Sequence, residues 1–334
     1  MRVAFRSNAP LGVWILLSSL LLLGVSVLGL LWGSVDLNLA TVISACIKGA
    51  QGQTLDTLET IVWDIRFPRV VLGIVVGAAL SMSGAAYQAV FRNPLADPYL
   101  MGVASGGALG ATLALMQGWP RVWVPGSSFV VACLSVFVTV VLARRGTQVS
   151  PLRLILAGVV VGGVVTALST YLLLGSGDRI REVMAWTLGS LSLGSWEKVT
   201  FVWPYVAVCG SLLVWMSPLL ATLQLGEVTA HSLGLPVQLL RVVVILLSTL
   251  MTAAAVSQVG IIGFVGLVTP HIVRRLVGAH FAHLLPLSAI GGGILLVSAD
   301  LAAKTLAKPT EIPIGILTTL LGGPFFLYLL RRQP

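Results

Sequence analysis

Few residues of this chain have the types and spacing that chemistry needs. Asp300 is the acid set deepest in an apolar run, and Lys304 follows it four positions later, a spacing that lets the two pair on a helix. Two roles are open for Asp300: a structural ion pair near one surface, or a coupling acid, since ionisable groups within apolar spans often carry function. Arg66 and Arg69 are three apart and project together if that stretch is helical. Their guanidinium forks would suit carboxylates on a partner, or they serve as ordinary interfacial anchors. His280 and His283 have no acidic or cysteine partner nearby, so a metal site there lacks further ligands. None of the four lysines follows a glycine, which excludes a phosphate-binding loop, and neither HExxH nor CxxC occurs. Cys46, Cys133 and Cys209 are far apart and share no metal-type spacing. A catalytic constellation is missing, and the chain does not read as an enzyme.

What remains is a polar stretch of unusual construction, Leu225–Pro236, LGEVTAHSLGLP, wedged between two apolar runs. Glu227 to Leu233 can form two helical turns, with Glu227 at the positive end of the dipole. Gly234 supplies the left-handed residue that stops a helix. Pro236 fits the first position of the next helix, where its missing N–H costs nothing. The spacing predicts a short helix, a sharp elbow and a long helix. Such an element is either a rigid knob shaped to press into something soluble or a plain loop between two apolar segments.

The elements that position these residues must be membrane spans. The chain has 334 residues, 57% hydrophobic and only 9% charged. Soluble domains carry about 25% charged residues, so a bilayer is the natural solvent. No long polar stretch offers a second domain, and residues 1–334 read as one transmembrane unit. The first apolar run, Leu11–Trp32, is longer than a signal-peptide core and has no cleavage site after it, so it is expected to be a retained span. The next spans are expected at Val70–Val90, Pro98–Met116, Trp123–Leu142, Leu154–Leu174 and Phe201–Leu223. Val242–Leu276 is too long for one crossing and divides at Ser257–Gly260, its second part being Ile261–Leu276. Leu287–Lys304 and Ile314–Leu330 complete an all-α protein of ten spans. Ten spans place both termini on one side. That side collects eleven bases, from Arg2 and Arg6 to Arg331 and Arg332, against two acids, while the other holds nine of each. The positive-inside rule makes the termini cytoplasmic. The net charge of +9 is thus accounted for by orientation, with no need of nucleic acid. On the fifth span Thr166, Ser169 and Thr170 share one side. They either bond their own backbone or form a polar stripe facing a pathway.

Six motifs, in order and covering nearly the whole chain, resemble the FecCD-type permease family: WDIRFPR (Trp63–Arg69), SGAAYQAVFRNPLADPYLMGVASG (Ser83–Gly106), RLILAG (Arg153–Gly158), LGEVTAHSLGLP, GIIGFVGLVTPHIVR (Gly260–Arg274) and PTEIPIGILTTLLGGPFF (Pro309–Phe326). These are membrane subunits of ABC importers for iron–siderophore complexes, haem and cobalamin. The resemblance implies the type II importer architecture, a homodimer in the cell inner membrane, two ATPase subunits below and a soluble substrate-binding protein above. It implies no cofactor in this chain, with ATP and Mg held by the partner ATPase. Leu225, Gly226, Glu227, His231, Leu233, Gly234 and Pro236 become the coupling element, within 225–240. Arg66, Arg69 and Lys304 match the docking bases, Lys304 keeping the charge of an arginine but not its fork. Asn93 and Leu95, with Ser150, Pro151 and Leu152, match gate positions, and Thr166, Ser169 and Thr170 lie on the path-lining helix. The competing expectation is a secondary transporter driven by an ion gradient through Asp300.

Overall fold

The computed structural model describes residues 10–33, 35–146, 148–175, 177–308 and 310–332. Arg2 and Arg6, two of the bases behind the expected orientation, lie outside the described residues. Among the described residues the fold is helical apart from a two-stranded hairpin.

Helix α1 (Leu11–Leu31) is apolar on all sides. Helix α2 (Leu39–Ala50) starts at Asn38, whose side chain accepts the Thr41 N–H at 2.8 Å. Helix α3 (Thr57–Thr60) opens with a capping box in which Asp56 and Glu59 each satisfy the other's backbone N–H. A π-helical turn, Ile61–Arg66, then joins α3 to α4 (Phe67–Phe91), so Thr57–Phe91 is one rod of 35 residues. The expected second span is the inner part of that rod. Arg92, at φ 49°, ends it.

The third expected span is split. Pro98–Met101 forms a 3-10 turn capped by Asp97, and Gly102, at φ 84°, separates it from α5 (Val103–Met116). Helix α6 (Trp123–Ala143) leads into strands β1 (Arg144–Arg145) and β2 (Gln148–Val149), an antiparallel hairpin that delivers the chain to α7 (Pro151–Leu174). Ser150 caps α7, and Pro151 takes its first position.

After α8 (Ile180–Thr187) comes a second correction. The expected span Phe201–Leu223 is two helices, α9 (Trp196–Trp215) and α10 (Ser217–Gln224). Pro218 has no N–H to give the Val214 carbonyl four residues back. The Ser217 hydroxyl donates to that carbonyl instead, and the chain turns at Met216. Helices α11 (Glu227–Ser232) and α12 (Val237–Val259) follow. The long apolar region beyond does divide, at Gly260–Phe264. Both of those residues have positive φ, and α13 (Val265–Val277) resumes after them. Helices α14 (Phe281–Thr305) and α15 (Ile314–Arg332) close the chain.

The core forms around α4, which is buried along nearly its full length. Two close approaches set its depth. Gly77 faces the Gly292 backbone of α14, and Gly84 faces the Gly266 carbonyl of α13, where an added Cβ would overlap carbonyl atoms. Small residues at such crossings let helix backbones meet where apolar burial alone cannot select a partner. Among the described residues seven helices are long and apolar enough to cross a membrane, and Leu39–Ala50, Val103–Met116 and Ile314–Tyr328 are shorter apolar helices. One end of the bundle gathers Arg92, the β1–β2 hairpin and the elbow at α11. The other gathers the end of α1 with Arg66, Arg69, Lys304 and Glu311.

Candidate functional site

At the first of these ends α11 stands between two glycines with left-handed backbone, Gly226 at φ 112° and Gly234 at φ 78°. The expected short helix and its stop are both present. Pro236 differs from expectation: it precedes the helix as its cap residue, and Val237 takes the first helical position. Glu227 faces inward, and its carboxylate accepts from the Arg241 guanidinium at 2.6 Å, with Arg92 at 3.8 Å. Ala230 is buried. The other side of the projection is bare: Leu225 is 66% exposed, Val228 85% and Leu233 63%, with Thr229 and His231 beside them. Sequence reasoning missed Val228 and Arg241. The only signal for Val228 was an apolar residue in a six-residue polar helix that has no room for an inward apolar stripe.

The second feature is an open cavity of about 530 Å³ walled by α5, α7 and the Asp97–Gly102 stretch. Thr166, Ser169 and Thr170 line it together. Ser169 and Thr170 also donate to carbonyls one turn back, at 2.9 and 3.0 Å, so bonding to their own backbone and lining of a cavity occur together. Their donors are spent on the backbone while their oxygens face the cavity. Asp97, unassigned from sequence, lines it too and accepts the Tyr99 N–H at 2.7 Å. Burial pushes its carboxyl up to about 6, the Tyr99 hydrogen bond acting the other way. The gate positions lie apart from this lining. Asn93 accepts the Leu95 N–H at 2.9 Å in a tight turn, and Leu95 packs beside His271 and Phe325. Ser150 and Pro151 open α7, and Leu152 is 67% exposed.

At the opposite end the three bases expected on an outer docking surface are buried. For Arg66 and Lys304 the reason is the end of α1, whose last carbonyls have no partner within the helix. Arg66 donates to the carbonyls of Leu30, at 2.7 Å, Leu31 and Val35, and Lys304 donates to Gly29 at 2.6 Å. Cations at a helix C-terminus are also favoured by its dipole. Arg69 is forked between Asp300 and Glu311, with all four contacts to their oxygens that use its Nη atoms or pair Nε with Oδ2 between 2.9 and 3.0 Å. The expected Asp300–Lys304 pair therefore gives way to Asp300–Arg69. The His280 and His283 rings are tilted to each other with centroids 5.1 Å apart, and among the described residues no group of three or more His, Cys, Asp or Glu side chains is arranged to hold a metal ion.

Comparison with known proteins bears on what such a bundle is. The sequence profile of the FecCD transport family matches residues 20–332. The chain belongs to the FecCD transport family. Its class is therefore that of a transport permease, a multi-pass membrane protein rather than a catalytic subunit. Among FecCD relatives, the cobalamin import system permease protein BtuC of Halobacterium salinarum is 42% identical over 281 residues, covering 83% of this chain and 75% of the relative. The hemin transport system permease protein HmuU of Yersinia pestis is 38% identical over 288 residues, covering 84% and 86%. A solved inward-facing metal-chelate type ABC transporter superposes with a TM-score of 0.86 at 32% identity, over 96% of this chain and 99% of that one.

Proposed function

We propose that this FecCD chain is the permease subunit of an ATP-driven importer for a metal chelate, the class to which the named relatives and the solved neighbour belong. The observation that carries the reading is the apolar outer side of α11. Val228 on α11 and Leu225 and Leu233 at its two ends are exposed on a short projection that is anchored from behind by Arg241. Exposed apolar side chains on a rigid projection mark a protein interface, and the partner suited to it is a soluble ATPase with a groove. Two such ATPases serve a homodimer. The second copy would cover the side of α7 on which Val160, Val164 and Tyr171 are 63–73% exposed, closing the open side of the cavity. A soluble binding protein delivers cargo at the opposite end, where Arg66, Arg69 and Lys304 frame the docking surface from beneath.

In this reading the seven long apolar helices cross the cytoplasmic membrane together with α5, α13 and α15, giving ten crossings and cytoplasmic termini. ATP closing the partner subunits displaces α11, and the cavity opens alternately to the two sides. The lining is hydroxyl, glycine and aliphatic with a single carboxyl, which suits passage of a bulky chelate without a tight, trapping site. An ion-driven transporter using Asp300 is disfavoured because both oxygens of that carboxylate are taken by Arg69.

The test is association. Val228→Asp places a charge in the middle of the apolar surface and is expected to abolish co-purification of the ATPase while the permease itself stays monodisperse in detergent. Retained co-purification would count against α11 as the contact.

A further inference from the structure

Arg241 is the largest fully buried side chain among the described residues, and it lies one turn into α12. A buried guanidinium must be compensated by nearby acceptors, and its acceptors here come from two other elements. One Nη donates to Glu227, the first residue of α11, at 2.6 Å. The other donates to the backbone carbonyl of Val149, the last residue of the β1–β2 hairpin, and approaches Gln238 Oε1 at 3.4 Å. Gln238 Oε1 accepts the Val149 N–H at 2.9 Å. The Val149 residue is thus gripped at both of its peptide groups by the first turn of α12. Ser150 and Pro151, which begin α7, follow immediately.

The planar guanidinium fork fixes the direction of both bonds, which a lysine ammonium cannot do. The projection, the start of α12, the hairpin and the first turn of α7 are therefore joined through one side chain. Arg92 at 3.8 Å from Glu227 adds a looser tie to the end of α4. Helix α7 supplies Thr166, Ser169 and Thr170 to the cavity.

We propose that Arg241 is a positioning residue that carries displacement of α11 to the first turn of α7. The proposal rests on α11 being the ATPase-facing element. Mechanical coupling needs a continuous network with defined geometry, and the bonds through Arg241 form one between the projection and the helix that walls the cavity.

The experiment is hydrogen–deuterium exchange on the permease–ATPase complex in nanodiscs, with and without ATP and vanadate. Two stretches are read, residues 225–234 and residues 148–156. In the wild type the ATPase protects 225–234, and nucleotide changes exchange in 148–156 by about tenfold, the range of a typical coupling energy. In Arg241→Gln the protection of 225–234 remains, while the nucleotide-dependent difference in 148–156 collapses. Gln238→Leu, which releases the Val149 N–H and the 3.4 Å contact to Arg241 but leaves the Arg241 bonds to Glu227 and the Val149 carbonyl, reduces that difference in the same direction and serves if Arg241→Gln does not fold. A merely structural role would raise exchange in 148–156 equally in both states and leave the difference intact, and that result overturns the proposal. No protection of 225–234 in the wild-type complex would instead overturn the assignment of α11, and the proposal with it.

Discussion

Arg69 and Asp300 meet in a buried, doubled ion pair across 231 positions of sequence, Nη2 to Oδ1 and Nε to Oδ2 each at 2.9 Å. Glu311 completes the arrangement from the segment before α15. One guanidinium thereby fastens α4 to α14 and to the segment that leads into α15. A proton-coupling acid needs an oxygen free to bind and release a proton, and here Arg69 occupies both.

Removing one partner of a buried pair leaves the other charge uncompensated, at a cost of about 3–5 kcal/mol. Asp300→Ala should lower the thermal unfolding midpoint of the purified protein in detergent. Arg69→Met combined with Asp300→Leu should recover much of that loss, because both charges leave together, with Lys304 the cation then left near Glu311. A single Asp300→Ala as stable as the wild type would show that the pair contributes nothing.

Gly84 tests the packing argument. Its Cα lies against the Gly266 carbonyl, inside the most buried stretch of the fold. Gly84→Leu forces α4 and α13 apart, and overpacking of this kind costs about 1–3 kcal/mol or more. The expected readout is loss of monodisperse protein on gel filtration. The same substitution at Gly163, where an added Cβ meets nothing within 4 Å, should be tolerated. Equal behaviour of the two variants would remove helix contact as the reason for glycine at 84.

Much of this arrangement was readable from residue order, and the failures share a cause. Helix starts at Leu11, Trp123 and Ile314 follow from abrupt changes in polarity, and the elbow follows from Gly234. The break at Met216 has apolar residues on both sides, so hydropathy is silent there, and only the Ser217–Pro218 pair marks it. Pairings were the harder problem. Lys304 is the local partner available to Asp300, but the geometry that decides comes from Arg69 on a distant helix. Arg66 and Lys304 read as surface cations because their acceptors are backbone carbonyls of α1, which no side-chain pattern reveals.

Gly234 has φ 78°, a region where a β-branched residue is severely strained. Open space surrounds it, so Gly234→Val meets no steric neighbour and acts on the backbone alone. Strain of about 1–3 kcal/mol at one residue is too small to prevent membrane insertion. It should reshape the turn between α11 and α12. The expected outcome is a complex that hydrolyses ATP in proteoliposomes while uptake is lost. Uptake coupled as in the wild type would mean that the turn tolerates other geometries.

Asp97 gives a pH dependence whose sign is fixed by its surroundings. Burial raises its carboxyl to about 6 from the usual 3.8, so the fold favours the protonated form. A group raised in this way stabilises the folded state fully below its unfolded value, and the advantage is lost as pH rises through the folded value. Between roughly pH 4 and 6 the wild type should therefore lose stability relative to Asp97→Asn. The asparagine keeps an oxygen for the Tyr99 N–H, now 2.7 Å from the carboxylate, and carries no charge at any pH. Thermal unfolding of both proteins across pH 4–7 measures the difference directly. Parallel curves would mean that water entering the cavity from its open side solvates the carboxylate. A gap that widens up to pH 6 and then levels would place a titrating charge on the wall of the cavity, beside the hydroxyls of α7.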